Sequence, residues 1–200
     1  MKHLLFSFFI FISVVLNAQT LSLPTDSATG RVTFKEAVNI YNTSQSELFT
    51  RAYEWIDFYF KSDKEYISVN DKVTGKLTSA LHFDVTIPMR DTLNANNETI
   101  HVKKTDVGYW RFSFIFEAKD GRYKLILTDF IHSEKVFSNL KQTYNEIALG
   151  GKIENENALN GKYPNKTWLE FKQQVETRTK KLMVNLQNYI VDHKFKEPSW

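Results

Sequence analysis

The chain contains no cysteine, and this absence excludes several kinds of fold and site. None of its 200 residues is Cys, so neither a cysteine nucleophile nor attachment of a lipid through cysteine is possible. A small fold held together by disulfides is excluded as well. The protein must therefore be stabilised by its hydrophobic core, and its content of 42% hydrophobic and 14% aromatic residues is sufficient for one domain.

The motifs of the common catalytic and metal sites are also missing. The sequence has no GxSxG, HExxH or HxH pattern, and Gly150-Gly151 follows a predicted helix, whereas a phosphate-binding loop precedes one. The histidines beyond the N-terminal segment have spacings that place no two of them on one face of a helix or strand: His82, His101, His132 and His193. The sequence therefore predicts no metal, no cofactor and no catalytic residue.

Charge does not indicate an unusual partner. Lys and Arg number 26 and Asp and Glu number 23, which gives a net charge of +3 with the two signs interspersed along the chain. This pattern is typical of a solvated surface. It does not favour a nucleic acid as partner, because neutralising phosphates requires clustered positive charge.

A hydrophobic run from Leu4 to Leu16 begins directly after Lys2 and His3. It is shorter than the roughly 20 residues that span a bilayer, and the small residue Ala18 follows it. These features are typical of a secretory signal peptide over residues 1–18. We expect cleavage between Ala18 and Gln19, and a mature protein without a transmembrane span, in the periplasm or outside the cell. Residues 19–29 are rich in Ser and Thr and are predicted to be a flexible leader.

The next segment predicts a strand and then a helix. A strand with one buried face is indicated by alternate apolar residues: Val32, Phe34, Val38 and Ile40. Glu36 interrupts that face. Ser44-x-x-Glu47 has the form of a capping box that begins a helix. The apolar residues of this helix recur at helical spacing: Leu48, Ala52, Trp55 and Tyr59.

Alternating patterns predict two further strands, over residues 66–70 and 77–87, joined by the polar turn Asp71 to Gly75. The apolar row of the second strand has one polar member, Ser79. The hydrophilic stretch from Arg90 to Asp106 is predicted to be a long surface loop.

The strongest local signal is a hairpin from Trp110 to His132 around the two-residue turn Asp120-Gly121. Counting outward from this turn pairs Lys119 with Arg122, Glu117 with Lys124, Phe112 with Asp129 and Trp110 with Ile131. One face of the hairpin is then apolar and is expected to form the core: Trp110, Phe112, Phe114, Phe116, Tyr123, Leu125, Leu127 and Ile131.

Two helices are predicted after the hairpin, in a segment 133–166 and at the C-terminus. Apolar residues between Val136 and Ile147 have helical spacing, and Gly150-Gly151 would end that helix. The polar stretch from Lys152 to Lys166 is predicted to be a linker. A second capping box, Thr167-x-x-Glu170, then begins a helix over residues 167–194, which we expect to pack on the same domain.

This order of elements predicts an α+β fold in which helices cover one face of an antiparallel sheet. Four stretches of the sequence carry a more specific indication: Val32 to Val38, Ser46 to Trp55, Asp71 to Lys76, and Lys119 to Lys124 leading to Thr128 to His132. In these stretches the chain resembles a family of exported bacterial proteins, the domain of unknown function 4468, which has a TATA-binding-protein-like (TBP-like) fold. The resemblance implies a TBP-like sheet-helix domain over residues 30–132 and a location in the cell envelope. It implies no activity.

Asp129 is a candidate for chemistry, because the predicted register places its carboxylate among Phe112, Leu127 and Ile131. In one hypothesis it is the general acid or base of a small hydrolase. In the other it caps a helix or pairs with Arg or Lys near the edge of the sheet. We favour the second, since a lone carboxylate lacks the second group that such catalysis requires.

The face of the sheet opposite Trp110 is predicted to bind an envelope protein or an apolar ligand. Three large apolar residues cluster there beside polar ones, and the candidate residues are His82, Thr86, Arg111, Ile115, Ile126, Thr128 and Phe130. The alternative is that the loop after Arg90 or the helix around Val136 folds over them. A nucleic acid is not expected, since a fold does not carry its best-known function with it.

Overall fold

A computed structural model gives the structure of residues 21–60, 67–87, 92–93, 99–100, 106–138, 143–155 and 165–192. The predicted signal peptide lies outside these residues. The described residues form a six-stranded antiparallel sheet, a separate two-stranded ribbon and two helices. The α+β class, the antiparallel sheet and the long C-terminal helix are therefore confirmed.

Eight strands and two helices follow one another along the described chain. The strands are β1 (Thr33–Asn39), β2 (Ile67–Asp71), β3 (Lys76–Ile87), β4 (Thr92–Leu93), β5 (Thr99–Ile100), β6 (Asp106–Lys119), β7 (Arg122–Ser138) and β8 (Thr143–Lys152). The helices are α1 (Gln45–Tyr59), between β1 and β2, and α2 (Asn165–Asp192), after β8.

In the main sheet the strand order is β1-β7-β6-β3-β2, and β8 also pairs with β7. The long strand β7 has room for both neighbours, because Arg122 to Thr128 pair with β1 and Ile131 to Ser138 pair with β8. β1 and β8 therefore cover successive halves of the same edge of β7. The short strands β4 and β5 pair only with each other among the described residues.

The hairpin of β6 and β7 turns at Asp120-Gly121, and its register is as predicted from the turn to Ser113 opposite Thr128. Beyond Thr128 the register shifts, because Asp129 has a left-handed backbone conformation with φ of 58°. Trp110 then lies opposite His132 instead of Ile131. This is a β-bulge, in which two residues of β7, Asp129 and Phe130, face one residue of β6.

The bulge exchanges the faces of the residues that follow it. Phe130 is fully buried and stacks on Phe112, with 5.6 Å between the ring centroids. His132 is also fully buried, whereas Ile131, which was predicted in the core, is only partly buried. The predicted faces of Phe130 and Ile131 were therefore wrong, since a slip of one residue moves every later side chain to the opposite face.

Both helices pack on one face of the sheet, and the core between them consists largely of rings. The largest fully buried side chains come from α1, from α2 and from inward-facing positions of β6 and β7: Trp55, Trp110, Phe112, Phe114, Phe116, Tyr123, Phe130 and Phe171. Trp55 stacks on Phe114, with 6.0 Å between the ring centroids. Each ring of this kind removes on the order of 150–250 Å² from water, so this layer supplies most of the hydrophobic stabilisation.

Helix α1 begins where the capping box predicts. Ser44 is its N-cap, and the Ser44 hydroxyl accepts a hydrogen bond from the backbone N–H of Glu47 at 3.2 Å. The side chain of Asp120, in the turn between β6 and β7, accepts a second one from the N–H of Gln45 at 2.8 Å. Two of the donors that the first helical turn leaves unsatisfied are thus bonded, and the hairpin turn fixes the position of the helix.

Helices α1 and α2 are antiparallel and are joined by polar contacts. Nη1 of Arg51 donates to the carbonyl oxygen of Ile190, and Nε1 of Trp55 donates to Oδ1 of Asn185 at 2.7 Å. Because Ile190 lies in the last turn of α2, its carbonyl has no partner within the helix, and Arg51 acts as a C-terminal cap. Neither of the two described helices is long and apolar enough to cross a membrane.

The predicted helix around Val136 is wrong. Residues 131–138 extend β7, residues 143–152 form β8, and Val136 lies opposite Asn145. Without β8, the edge of β7 beyond the bulge would leave its N–H and C=O groups without strand partners. The segment therefore forms a strand that pairs with β7, although its apolar residues have helical spacing. Gly150-Gly151 lies within β8 instead of ending a helix.

Three smaller predictions are also corrected. Helix α2 starts at Asn165, so Thr167 lies inside the helix and is not its cap. The predicted flexible leader contacts the domain, because Leu23 is buried and Thr25 pairs with Val32. Within the predicted surface loop, four residues pair as β4 and β5, and β6 begins at Asp106.

Candidate functional site

The helix-free face of the sheet holds most of the residues that were predicted to bind a partner. This face consists of the side chains of β1, β3, β6 and β7 that point away from α1 and α2 and alternate with the core residues. At its centre Ile115 of β6 lies directly opposite Ile126 of β7, and both are half-buried. We define the central patch as these two residues with their uncharged neighbours on β3, β6 and β7, which are Thr78, Ala80, Ser113 and Thr128. On the β1 side Ile126 lies opposite the exposed Lys35.

Charged residues border the central patch on the side of the β6–β7 turn. Glu117 lies between Lys76 of β3 and Lys124 of β7. Its Oε2 is 3.9 Å from Nζ of Lys124, so the predicted cross-strand pair is confirmed. Lys119 and Arg122 come next and lie opposite each other across the hairpin. The four cationic side chains are exposed, and we call them the basic corner: Lys76, Lys119, Arg122 and Lys124.

On its other side the central patch ends at Asp129. Nη1 of Arg31 is 2.5 Å from Oδ1 of Asp129, and the hydroxyl of Ser113 donates to Oδ2 at 3.3 Å. The Asp129 side chain is 30% exposed, because the bulge turns it away from the core where an unbroken register would place it. Asp129 therefore forms an ion pair with Arg, which is the arrangement that we favour over a role as general acid or base.

Two further candidate residues extend the face towards its far end. His82 and Arg111 lie opposite each other in β3 and β6, and the ring of His82 is 5.2 Å from that of Tyr109. Phe130 does not belong to this face, since the bulge turns it into the core, and Ile131 lies opposite Arg111 instead. The side chain of Thr86 lies outside the described residues. The structure thus brings together the remaining candidates around Ile115 and Ile126.

A pair of polar groups inside the fold forms a second notable feature. Oε1 of Glu36 and the hydroxyl of Tyr123 are both buried, and neither has a hydrogen-bond partner among the described residues. Burial raises the pKa of Glu36. Burial also raises the pKa of Tyr123, and the nearby carboxylate of Glu36 raises it further. The sequence signal for this pair was the carboxylate that interrupts the apolar face of β1.

A groove of about 380 Å³ lies beside β3, where α1 ends. It is lined by Tyr59, Phe60, His82, Phe83, Asp84 and Arg178. The guanidinium carbon of Arg178 lies 5.9 Å from the centre of the Phe83 ring, a cation–π arrangement. Burial raises the pKa of Tyr59, and the nearby Arg178 opposes this shift.

Among the residues with described side chains, no three His, Cys, Asp or Glu residues are grouped so that they could hold a metal ion.

Residues from the family-like stretches have structural roles. Asp71 accepts hydrogen bonds from the N–H groups of Val73 and Thr74 and closes the turn between β2 and β3. Gly75 has φ of 73°, and a Cβ at this position would lie 2.5 Å from the carbonyl oxygen of Ala118. Together with Asp120, which caps α1, these residues hold the ends of the elements in place and do not converge on a site.

Comparison with known proteins identifies the same fold. Residues 34–133 match the model of a family described as a domain of unknown function (DUF4468) with TBP-like fold. The chain is similar to a TBP-like protein from Parabacteroides distasonis ATCC 8503, with 18% identity over 84% of this chain and 97% of that one and a TM-score of 0.55. It is also similar to a DUF4468 family protein from Bacteroides ovatus ATCC 8483, with 13% identity over 88% of this chain and 94% of that one and a TM-score of 0.57. No curated protein matches the chain.

The two solved structures, at 18% and 13% identity, establish the fold and not a function. The family model matches half of the chain, and its limits, residues 34 and 133, lie in β1 and in β7 just beyond the bulge. The resemblance noted in the sequence and the TBP-like fold that it implies are both confirmed. The chain belongs to the DUF4468 family, a domain of unknown function with a TBP-like fold.

Proposed function

We propose that this protein is an exported, non-catalytic domain that binds a protein partner through the helix-free face of its sheet. The observation that carries the proposal is the central patch, in which Ile115 and Ile126 lie opposite each other with uncharged neighbours on β3, β6 and β7 and with Lys35 on the β1 side. Charged residues border this patch at the basic corner and at the Arg31–Asp129 pair. An apolar centre inside a polar and charged rim is the usual composition of a protein interface.

The shape of the face favours a macromolecule over a small apolar ligand. The four strands that carry it span roughly 15–20 Å at a strand spacing of about 4.8 Å. A small apolar molecule is generally held in a concave pocket that covers most of its surface, whereas an open sheet suits a broad partner. One segment that could have covered the face, the one around Val136, lies instead in the sheet, where residues 131–138 are the end of β7 and residues 143–152 form β8.

The surroundings of Asp129 favour binding over the alternative of a hydrolase. Its carboxylate is engaged by the guanidinium of Arg31 and by the hydroxyl of Ser113. A general acid or base needs an oxygen that can reach the substrate, and both carboxylate oxygens of Asp129 already have a partner within the domain. We therefore assign Asp129 to the rim of the proposed interface.

The proposal is tested by a substitution at the centre of the face. Ile126→Asp places a charge in the central patch, and Val184→Asp introduces the same charge on α2, where Val184 is 55% exposed. We expect Ile126→Asp to lower the melting temperature by no more than about 4 °C, which corresponds to ~1 kcal/mol in a chain of this length. A photo-crosslinking amino acid at position 115, introduced into the mature protein in its native host, then captures the partner.

We expect one protein to be cross-linked from position 115, and the cross-link to be lost with Ile126→Asp and retained with Val184→Asp. Unfolding caused by Ile126→Asp would mean that this face is a second core, and the proposed interface would not exist. Retention of the cross-link in folded Ile126→Asp would also contradict the proposal, because the partner would then not depend on the central patch.

Export is part of the proposal and has its own test. It is supported by the basic start, the short apolar run and the small residue at Ala18. N-terminal sequencing of the protein from the cell envelope should give a first residue at or near Gln19. A retained Met1 on protein recovered from the cytoplasm would contradict it.

A further inference from the structure

We infer that the partner presents an acidic segment to the basic corner, the group of Lys76, Lys119, Arg122 and Lys124. This inference rests on the proposed function and specifies the chemistry of the partner at the same face. It is based on the arrangement of charge beside the central patch and not on the net charge of the chain.

The register places like charges against each other at this corner. Lys119 and Arg122 lie directly opposite across the hairpin, one residue from the Asp120-Gly121 turn. Like charges at directly opposed positions of an antiparallel pair repel each other. Glu117 lies between two lysines, Lys76 and Lys124, and therefore does not neutralise both. Asp71 of β2 lies opposite Lys76, so the corner has four cations and two carboxylates, Glu117 and Asp71, on neighbouring positions of a single face.

The carboxylates of Asp71 and Asp120 are engaged in local structure. Both oxygens of Asp71 accept hydrogen bonds within its own turn, from the N–H groups of Val73 and Thr74 and from the Thr74 hydroxyl. Asp120 accepts the N–H of Gln45 at the start of α1. Neither carboxylate is placed to pair with Lys119 or Arg122, so the positive charge at the corner is directed to solvent.

The basic corner is continuous with the central patch. Glu117 and Lys124 are two residues from Ile115 and Ile126 on the same strands and the same face, which is about 6.8 Å along a strand. A partner that covers the isoleucines therefore also meets the corner. The outward-facing residues between the corner and the bulge are Ile, Ala, Ser, Thr and one Lys, Lys35, and they offer no aromatic ring on which a nucleic acid base could stack. An acidic protein segment with apolar residues beside it fits this surface.

Binding of a defined polyanion tests the inference. The probe is fluorescently labelled poly-L-glutamate, and its binding to the mature full-length protein is measured by fluorescence anisotropy at low and at physiological salt. The test variant is the double substitution Lys119→Glu with Arg122→Glu. The control is Lys180→Glu with Lys181→Glu on α2, which changes the net charge by the same amount on exposed residues of the other side of the molecule.

We expect the test variant to weaken binding at least about tenfold and the control to weaken it by less than about threefold. Equal losses in both variants would show attraction by net charge alone and would overturn the inference. Tighter binding of a DNA oligonucleotide of equal charge, or of phosphatidylglycerol vesicles, with the same dependence on Lys119 and Arg122, would overturn it in favour of a phosphate-bearing partner.

Two further measurements are needed. The first distinguishes a folding defect from a binding defect, and the second distinguishes failure of this inference from failure of the proposed function. The single substitution Lys119→Glu puts opposite charges across the hairpin, so it should raise the melting temperature or leave it unchanged, while still weakening poly-L-glutamate binding. Loss of the cross-link at position 115 with Ile126→Asp, but not with the double substitution at Lys119 and Arg122, would refute the acidic segment and leave the proposed function in place.

Discussion

Replacing Glu36 by Gln should stabilise the folded protein at neutral pH. Oε1 of Glu36 is buried and has no hydrogen-bond partner among the described residues, and burial raises the pKa of this carboxyl above its ordinary value of 4.5. At neutral pH, folding therefore moves a charged oxygen away from water without providing a donor. Gln has nearly the same shape and no charge, so the substitution Glu36→Gln removes this cost.

The magnitude follows from the burial of the side chain. A buried polar group without a partner destabilises a protein by about 1–3 kcal/mol. Part of the Glu36 side chain still contacts solvent, which places the expected gain at the lower end, ~1 kcal/mol, or about 2–4 °C in melting temperature. Glu117→Gln is the control, because Glu117 faces solvent beside Lys124 and its loss should leave stability unchanged or slightly lower.

The effect should depend on pH in a defined direction. Because the pKa of Glu36 is higher in the folded than in the unfolded protein, the folded state binds this proton more tightly. The wild type therefore loses stability as the pH rises from the unfolded pKa through the folded pKa, and the variant does not. The difference between the two should be close to zero below about pH 4 and complete once the pH exceeds the folded pKa.

Urea denaturation followed by circular dichroism, at several values between about pH 4 and pH 8, measures this difference directly. Tyr123→Phe is a companion variant, because the Tyr123 hydroxyl is buried without a partner among the described residues. Its removal should also stabilise the protein by ~1 kcal/mol. A variant Glu36→Gln that is less stable than the wild type at pH 7, or a difference that does not change with pH, would refute the reasoning.

Two further substitutions test the core and the turns. Trp55→Ala should lower the free energy of unfolding by about 3–5 kcal/mol, because the Trp55 side chain is 1% exposed and donates to Asn185; a urea-measured loss below about 1 kcal/mol would mean that the packing of α1 is misassigned. Gly75→Ala and Gly121→Ala form a matched pair, since both glycines have positive φ but only a Cβ at position 75 meets the carbonyl oxygen of Ala118, at 2.5 Å. Gly121→Ala should cost about 1–2 kcal/mol through backbone strain and Gly75→Ala clearly more, and equal losses would argue against the close approach.

The hairpin shows how far the sequence predicts this fold. The turn Asp120-Gly121 determines the register, and alternation predicts the faces correctly as far as Leu127. The bulge at Asp129 has only a weak local signal, because Asp tolerates a positive φ without requiring it. The spacing of the large residues in β7 does indicate the bulge. Tyr123, Leu125 and Leu127 occupy alternate positions, whereas the next aromatic residue, Phe130, follows Leu127 after three residues.

Strand β8 marks a different limit of prediction. The apolar residues between Val136 and Ile147 have a spacing that fits a helix, and this spacing is the basis on which the sequence predicts one. The edge of β7 beyond the bulge decides the outcome, because β1 pairs with β7 only as far as Thr128 and leaves the rest of this edge to β8. A non-local requirement of this kind is not contained in the local pattern of the segment.

The candidate face was predicted in outline because alternation alone separates it from the core. Ile115, Ile126, Thr128 and Arg111 have the orientation expected of them, and Phe130 does not, since it lies beyond the bulge. The ion pair of Asp129 with Arg31 joins residues 98 positions apart. Only the assembled sheet could have identified Arg31 as the partner.

The family-like stretches contain structural residues and the basic corner of the proposed interface, but not its apolar centre. Asp71, Gly75 and Asp120 close turns and cap a helix, and Arg51 caps α2. These roles are needed whatever the domain binds, so similarity at such positions identifies the fold and not the partner. The apolar centre at Ile115 and Ile126 lies outside the family-like stretches, and we expect these two side chains to be replaceable without loss of the fold. Differences in partner among proteins of this fold are therefore to be sought on the helix-free face.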